Sequence, residues 1–154
     1  MIVSAQPNMT VGPRVGNLAL VTGCFDVIHR GHIELLKQAS QLGVLRVGVN
    51  TDEAIRQLKG PSRPVNNEDD RVAVLNAIEY VHQFGGFAFL IPSTKVTQAI
   101  LDVRPHYWVK GGDWSIDTLD KEEVAAAKEV GAEIIIVPHR AGYSTTETLR
   151  KLQS

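Results

Sequence analysis

His29 and His32 are the two residues of this chain whose type and spacing best fit phosphate chemistry. They lie three residues apart, which places both side chains on one face of the opening turn of a helix. The start of a helix presents free backbone N–H groups and the positive end of the helix dipole, and both attract phosphate. Gly31, between them, lets a ligand approach the backbone closely. The pattern therefore predicts a site that holds a polyphosphate and stabilises the charge developing on it.

The turn that precedes these histidines completes the predicted nucleotide site. It contains Gly23, Cys24, Phe25 and Asp26. Two other interpretations of the histidines stay open, namely a structural pair and a pair of metal ligands. The apolar strand before the turn and the glycines within it favour phosphate binding. We interpret Cys24 as a small residue after the strand, since no neighbouring base indicates a nucleophile.

A second candidate phosphate site lies near the end of the chain, between an apolar segment at residues 134–137 and the last helix. Its members are Arg140, Gly142, Ser144, Thr145 and Thr146. Ser144 or Thr145 suits the N-cap position of that helix. Either the segment is only a helix cap, or its hydroxyl groups and Arg140 donate to the phosphates of the same ligand. Its occurrence together with the first motif favours the second interpretation.

Cations are concentrated in the middle of the chain, in and after a loop at residues 59–67. Lys59 and Arg63 belong to this loop, and Arg71 follows on the next helix. Cationic loops beside a phosphate site commonly hold a triphosphate or a second substrate, so we interpret these residues as a clamp. The alternative is a solvated surface loop.

A further binding loop is predicted after the strand at residues 107–109, where ligand loops lie in parallel α/β sheets. Its members are Lys110, Gly111, Asp113 and Trp114, which we assign to the same clamp for the substrate or the triphosphate. The indole of Trp114 either stacks on a base or covers the core.

The order of the predicted elements brings these motifs to one edge of a sheet. Apolar runs predict strands at 18–21, 44–49, within 81–91, at 107–109 and at 133–137. Helical spacing predicts helices at 30–42, from 51, at 69–79, 95–102, 119–130 and 145–152. This alternation predicts a single Rossmann-like α/β domain, a parallel sheet with helices on both faces. Ligands of such sheets bind beyond the carboxyl ends of the strands, where the strand order reverses.

The composition fits one folded domain and limits its partners. The chain has 154 residues, 44% of them hydrophobic, and a net charge of -1. It lacks the basic surface that nucleic-acid binding requires and an apolar run of about 20 residues for a membrane. The single cysteine, Cys24, excludes an internal disulfide framework, so we expect a cytoplasmic protein. We also expect a homo-oligomer, a flexible arm at residues 1–16, where Pro and Gly interrupt any period, and the domain at residues 17–154.

Residues 23–32 resemble the HxGH signature of the nucleotidylyltransferase superfamily, in the form Gly-x-Phe-Asp-x-x-His-x-Gly-His. Residues 58–66, the pair at 70–71 and residues 109–113 are similar to the adenylyltransferase half of bacterial ADP-heptose synthases. The Arg140 segment and Trp114 look more like glycerol-3-phosphate cytidylyltransferases. That segment has one residue fewer than the Arg-x-x-Gly-x-Ser-Thr-Thr pattern of those enzymes. The resemblance covers nearly the whole chain after residue 18.

The resemblance implies transfer of AMP from ATP to a sugar phosphate similar to heptose 1-phosphate, with release of pyrophosphate. It assigns His29 and His32 to the transition state and the leaving pyrophosphate, and the Arg140 segment to the outer phosphates. Mg²⁺ is expected with the nucleotide, and Asp26 is a candidate to orient the substrate or the water shell of that ion. The alternatives are cytidylyl transfer to glycerol 3-phosphate or a similar polyol phosphate, and a nucleotide-binding module without catalysis. A structural metal domain is disfavoured, because the chain has too few Cys and His residues at ligand spacing.

Overall fold

The structure, a computed structural model, describes residues 2–4, 16–138 and 142–154, with the backbone alone for residues 2–4. The strands are β1 (Ile2–Ser4), β2 (Leu18–Gly23), β3 (Val44–Asn50), β4 (Phe87–Ile91), β5 (Tyr107–Gly111) and β6 (Glu133–Val137). The helices are α1 (Arg30–Ser40), α2 (Asp52–Lys59), α3 (Glu68–Asn76), α4 (Glu79–His82), α5 (Thr97–Val103), α6 (Lys121–Val130) and α7 (Thr145–Gln153). A single 3-10 turn, Gln83–Gly85, leads from α4 into β4.

Within this part of the chain the strands form one six-stranded sheet in the order β1-β6-β5-β2-β3-β4. Each neighbouring pair is parallel, and Val21 at the centre of the sheet pairs with Val47 of β3 and Val109 of β5. The chain adds β3 and β4 on one side of β2 and then crosses to add β5 and β6 on the other. The strand order therefore reverses between β2 and β5, which is where a parallel sheet opens a crevice for a ligand.

Both faces of the sheet are buried, which explains why its strands are almost continuously apolar. Ala19 and Val21 of β2 face a core that also contains residues of α1, α3 and α4. Leu20 faces the opposite core, formed with α5 and α6, where Trp108 is fully buried. The Nε1–H of Trp108 donates to Oγ1 of Thr22 at 3.1 Å, so its polar group is satisfied inside the core. The predicted fold class, an α/β sheet with helices on both faces, is confirmed.

Polar side chains mark the residues at which most of the helices begin. Thr51, Asn67 and Asp120 cap α2, α3 and α6, each by accepting a backbone N–H of the first turn. The opening of α1 differs, because its N-cap residue is His29. Over residues 2–4, 16–138 and 142–154, no helix has both the length and the apolar character that a membrane crossing needs.

The first strand departs from the sequence-based prediction of a flexible arm over residues 1–16. Ile2–Ser4 instead pair with the edge of β6, in a register that sets Ile2 opposite Ile134. A strand of three residues is too short to show a period, and the Pro and Gly residues that follow it indicated only a loop. The prediction is therefore wrong for Ile2–Ser4. Residues 5–15 lie outside the described residues, and the division of the chain at residue 17 stays a prediction.

Candidate active site

A cleft opens at the carboxyl ends of β2, β5 and β6, beside the first turns of α1 and α7. It is lined by Thr22, Gly23, Cys24, Phe25, Asp26, His29, Gly31, His32, Glu34, Leu35, Gln38, Lys59, Arg63, Gly111, Val137, Pro138 and Thr145. The crevice between β2 and β5 lies at the reversal of strand order, as the topology requires. Residues that the sequence assigned to four separate motifs therefore meet in one place.

The two histidines begin α1 by exchanging hydrogen bonds with its backbone. Nδ1 of His29 accepts the N–H of Gly31 at 3.1 Å, and Nδ1 of His32 accepts the N–H of His29 at 3.3 Å. Because each Nδ1 is an acceptor, a neutral ring at either position carries its proton on Nε2. The rings stack with their centroids 3.8 Å apart. The first turn thus fixes the orientation of both imidazoles and makes Nε2–H the donor that each ring offers.

Close packing around Gly31 and Phe25 holds this turn in place. A Cβ at position 31 would lie 2.9 Å from Cε1 of His29 and 3.2 Å from Cβ of Tyr143, so a side chain there would displace the imidazole. Phe25 has a φ of 48°, in the left-handed region that residues other than glycine rarely occupy. Its buried ring lies 5.2 Å from the ring of His32. The chain therefore reverses sharply after β2, and the ring of Phe25 packs against the imidazole of His32.

The structure corrects the interpretation of Asp26 as a residue that orients substrate or a Mg²⁺ water shell. Asp26 is 2% exposed, and its carboxylate accepts the backbone N–H of Val65 at 2.8 Å and of Asn66 at 3.0 Å. Nε of Arg63 donates to the same carboxylate at 2.8 Å. Asp26 therefore anchors the loop between α2 and α3 to the turn after β2.

Burial alone would raise the pKa of Asp26, but the N–H groups of Asn66 and Val65 and the guanidinium of Arg63 outweigh it and lower the pKa. The carboxylate is accordingly ionised at neutral pH. Since the folded-state pKa is the lower one, the stability that it contributes is fully present above the usual value of 3.8 and is lost as the pH falls below it.

The assignment of Arg71 to the clamp is wrong. Arg71 is 1% exposed, and its guanidinium donates to the carbonyl oxygens of Asn66 at 3.0 Å, Cys24 at 2.7 Å and Asn50 at 2.8 Å. Its Nη2 completes the set with Oδ1 of Asp52 at 2.8 Å. These four hydrogen bonds tie together the ends of β2 and β3 and the loop before α3. They commit Arg71 to the structure, although its position beside a cationic loop suggested a ligand.

The end of β5 and the loop after it divide between the two faces of the sheet. Among the described residues, the cleft lining includes Gly111 but not Lys110, Asp113 or Trp114. Nζ of Lys110 lies 3.9 Å from Oε2 of Glu123 and 3.9 Å from the ring centroid of Trp114. Burial lowers the pKa of Lys110, and the carboxylate of Glu123 opposes this effect.

Lys110 contacts two side chains, Glu123 of α6 and Trp114. Lys110 lies near the carboxylate of Glu123 at the start of α6, and its assignment to the clamp stays a prediction. Trp114 is 40% exposed and packs on the ammonium group, so it does not cover the core. Stacking of Trp114 on a base stays a prediction, as does the ligand role of Asp113.

The start of α7 meets the start of α1 at the cleft. Oγ of Ser144 accepts the N–H of Glu147 at 3.0 Å and caps α7. Oγ1 of Thr145 donates to the carbonyl oxygen of Val27 at 3.1 Å, which joins this helix to the turn before His29. Gly142 precedes the cap with a φ of 87°. The phosphate-binding roles of this segment, including Thr146, stay predictions, and Arg140 lies outside the described residues.

Several lining residues were not predicted from the sequence. They are Thr22, Glu34, Leu35, Gln38, Val137 and Pro138. Leu35 and Gln38 follow His32 by three and six residues, so continuing the helical face of the histidines would have found them. Val137 and Pro138 lie where β6 ends, which is the position that the strand-end rule favours.

Comparison with known proteins agrees with the geometry. The family model described as cytidylyltransferase-like matches residues 20–151. A D-β-D-heptose 1-phosphate adenylyltransferase of Bordetella bronchiseptica is 41% identical over 138 residues, which cover 88% of this chain and 82% of that protein. The bifunctional protein HldE of Vibrio cholerae is 38% identical over 142 residues, 88% of this chain and 28% of that protein.

Among solved structures, a lipopolysaccharide core biosynthesis protein of Thermoplasma volcanium has the same fold. Its TM-score is 0.64 at 26% identity, over 80% of this chain and 96% of that chain. The chain spans less than a third of the length of the bifunctional relative and most of the length of the adenylyltransferase. The resemblance drawn from the sequence motifs is thereby confirmed.

Replacing Arg71 by Met should lower the free energy of unfolding by about 3–5 kcal/mol, because Asp52 and three carbonyl oxygens lose their partner. Urea denaturation measures this change. Arg56→Met is the matched control, since Arg56 forms an exposed ion pair with Glu53, worth less than about 1 kcal/mol. An Arg71→Met protein of normal stability that binds nucleotide poorly would restore the clamp interpretation.

Cys24 should react slowly with iodoacetamide at pH 7.5. Burial raises the pKa of its thiol, and the nearby charges of Lys59, Arg71 and Arg63 oppose this without reversing it. The thiol is therefore neutral at this pH, and we expect alkylation to be at least about tenfold slower than in the same protein unfolded in urea. Mass spectrometry of timed samples measures the rate. Equal alkylation rates in the folded and the unfolded protein would contradict the assignment of Cys24 as a buried, neutral thiol. A nucleophilic role for Cys24 would then be open again.

Proposed function

Since this chain belongs to the cytidylyltransferase-like family, we propose that it is a nucleotidylyltransferase that transfers AMP from ATP to heptose 1-phosphate and releases pyrophosphate. One observation carries the proposal: the chain matches 82% of a D-β-D-heptose 1-phosphate adenylyltransferase at 41% identity. The cleft supports it, because helix starts and cations converge there as a polyphosphate ligand requires. The relatives named as adenylyltransferases favour AMP transfer over the alternative, cytidylyl transfer to glycerol 3-phosphate.

In the proposed reaction, an oxygen of the acceptor phosphate attacks the α-phosphorus of ATP. A new P–O bond forms as the bond between the α-phosphorus and the bridging oxygen breaks, and pyrophosphate leaves in line. The attacking phosphate is already an anion, so no strong general base is required. Catalysis then depends on holding the reacting groups in line and on stabilising the negative charge of the transition state.

We assign His29 and His32 to this stabilisation. Their Nδ1 atoms accept backbone N–H groups, so the Nε2–H groups are the donors for phosphate oxygens. Donors held by a helix cap need no reorganisation as charge develops, which makes them effective in the transition state. The same hydrogen bonds argue against a metal pair that uses Nδ1.

The outer phosphates are assigned to the start of α7. Thr145 lines the cleft, and Ser144 orients the first turn of this helix by capping it. The first-turn N–H groups and the helix dipole favour an anion at this point. Gly142, Thr146 and Arg140 belong to the same proposed subsite by their place in the motif.

Mg²⁺ is proposed to enter the cleft together with the nucleotide. Transfers from nucleoside triphosphates generally use Mg²⁺, which prefers phosphate and water oxygens. Across the described part of the chain, no group of three or more His, Cys, Asp or Glu residues could hold a metal ion. Asp26 does not fit this role, because its carboxylate accepts hydrogen bonds from the loop. The phosphates of the substrate therefore remain as the ligands of the ion.

The cytoplasm is the compartment proposed for the reaction. A cytoplasmic reaction would have ATP at hand, and Cys24 is a free thiol, as proteins in a reducing compartment usually carry. Assembly into a homo-oligomer stays a prediction, because the structure describes one copy of the chain.

A pyrophosphate-release assay should give turnover with ATP and heptose 1-phosphate, at least about tenfold faster than with CTP and glycerol 3-phosphate, if base and acceptor are read in the transition state. Each nucleotide without acceptor is the control for hydrolysis. Faster turnover with CTP and glycerol 3-phosphate would favour the cytidylyltransferase alternative. Nucleotide binding without any pyrophosphate would favour the module without catalysis.

The variant His32→Asn should lower kcat by about a hundred- to a thousandfold, as loss of one preorganised donor typically does. The shorter asparagine amide retains an acceptor for the backbone N–H, so the helix start and the thermal stability should change little. His82→Asn on the exposed face of α4 is the control, with unchanged kcat. Full turnover of His32→Asn would remove the assignment of this histidine to the transition state.

A further inference from the structure

The last helix, α7, contributes little to the core of its own chain. All nine residues of α7 are described, and none of these nine is buried. Thr145, Leu149 and Leu152 recur at helical spacing and form one stripe along the helix. Oγ1 of Thr145 donates to the carbonyl oxygen of Val27, which holds the first turn against the domain. The exposure of the stripe then increases along the helix, because Leu149 is half-buried and Leu152 is 77% exposed.

A second groove lies beside the cleft, between the turn after β2 and α3. It has a volume of about 270 Å³, and its apolar lining consists of Phe25, Ile28 and Val74. Ile28 is half-buried and Val74 is 49% exposed, so both are open to a docked side chain. Among the described residues, the lining includes none from α7, so the groove is not filled by the helix of the same chain.

The charges around this groove and at the end of α7 are opposite in sign. The first turn of α3 carries three carboxylates, those of Glu68, Asp69 and Asp70, and Asp70 lines the groove. The last turn of α7 carries the cations Arg150 and Lys151. Arg150 already pairs with Glu147 of its own helix, and Lys151 directly precedes Leu152. A leucine in the groove would therefore bring a lysine to the acidic turn of α3.

The positions of the helix and the groove favour a second copy of this chain as the occupant. The contact of Thr145 with Val27 is one residue from Ile28, so the start of α7 and the groove are neighbours on one surface. A two-fold axis makes every contact twice, with the roles of the two copies exchanged. Neighbouring elements of one surface can therefore meet their counterparts about a single axis, and each copy supplies both the apolar, basic helix end and the acidic groove.

We propose that the chain forms a two-fold dimer in which α7 of each copy docks in the groove between the turn after β2 and α3 of the other. Leu152 enters the groove beside Ile28 and Val74, and Lys151 faces Asp70. Phe25 lines the same groove and packs against His32, so the docked helix braces the turn that begins α1. Dimerisation requires no substrate and is independent of the proposed function.

Sedimentation velocity over about a hundredfold range of protein concentration measures the monomer–dimer equilibrium without substrate. Leu152→Ser should weaken dimerisation at least about tenfold, because each dimer buries this apolar side chain twice. Phe84→Ser is the matched control, because Phe84 is 67% exposed on the turn before β4 and outside the proposed contact. It should leave the dissociation constant of the dimer unchanged. Circular dichroism of each variant checks that the fold is retained.

A charge exchange tests the contact itself. Asp70→Lys and Lys151→Glu should each weaken dimerisation, since each places like charges opposite one another. An equimolar mixture of these two variants should dimerise again, because every groove then faces a helix end of opposite charge. Only a contact between copies produces recovery in the mixture, so a folding defect in one variant cannot imitate it.

A wild-type chain that stays monomeric throughout would overturn the inference and leave the groove to a different protein. A dimer that Leu152→Ser leaves intact would also overturn it, as would a mixture of the charge variants that stays monomeric. Loss of the dimer with Phe84→Ser alone would place the contact at the β4 edge and overturn the groove. A dimer that dissociates with Leu152→Ser but releases no pyrophosphate would support the inference and refute the proposed function alone.

Discussion

The ionised carboxylate of Asp26 is the interaction on which the shape of the cleft depends. It is buried directly after a backbone reversal at Phe25, and it accepts hydrogen bonds from a loop about forty residues further along the chain. A buried charge without partners is costly, so the loop must stay in place as long as the carboxylate is ionised. One side chain thereby couples the turn that leads into the histidines to the cations that face them.

Burial of these charges is better explained by geometry than by stability. Buried ion pairs contribute little net stability after desolvation, whereas the two apolar cores on either side of the sheet supply the usual driving force. The register of the sheet sets where each strand ends. The ion pairs Asp26–Arg63 and Asp52–Arg71 then fix the loops that follow the strands. The capping hydrogen bonds of His29 and His32 do the same for two imidazoles. A site held by such contacts is preorganised before any ligand arrives.

Most of the fold could be predicted from the sequence, because strand and helix periods are local properties that a short window shows. The position of the cleft followed from the rule for strand ends, and His29, Gly31 and Thr145 lie there. The partners of charged residues could not be predicted in the same way. Arg71 bonds to Cys24 and Asn50, which are 47 and 21 residues away, and no local pattern distinguishes it from Arg63. Ile2–Ser4 were missed for a related reason, since their partner is the distant edge of β6.

The charged side chains that line the cleft largely neutralise one another. Among the described residues, its lining contains two cationic side chains, Lys59 and Arg63, and two carboxylates, Asp26 and Glu34. Both carboxylates are paired with arginines, Asp26 with Arg63 and Glu34 with Arg30. The formal charges of these four residues cancel, so they leave no excess to neutralise a triphosphate. In the proposed reaction, the attraction for the triphosphate would come from the starts of α1 and α7 and from the imidazole donors, together with a cation that the nucleotide would bring with it. This balance explains why a protein with a net charge of -1 can accommodate so anionic a ligand without a basic surface.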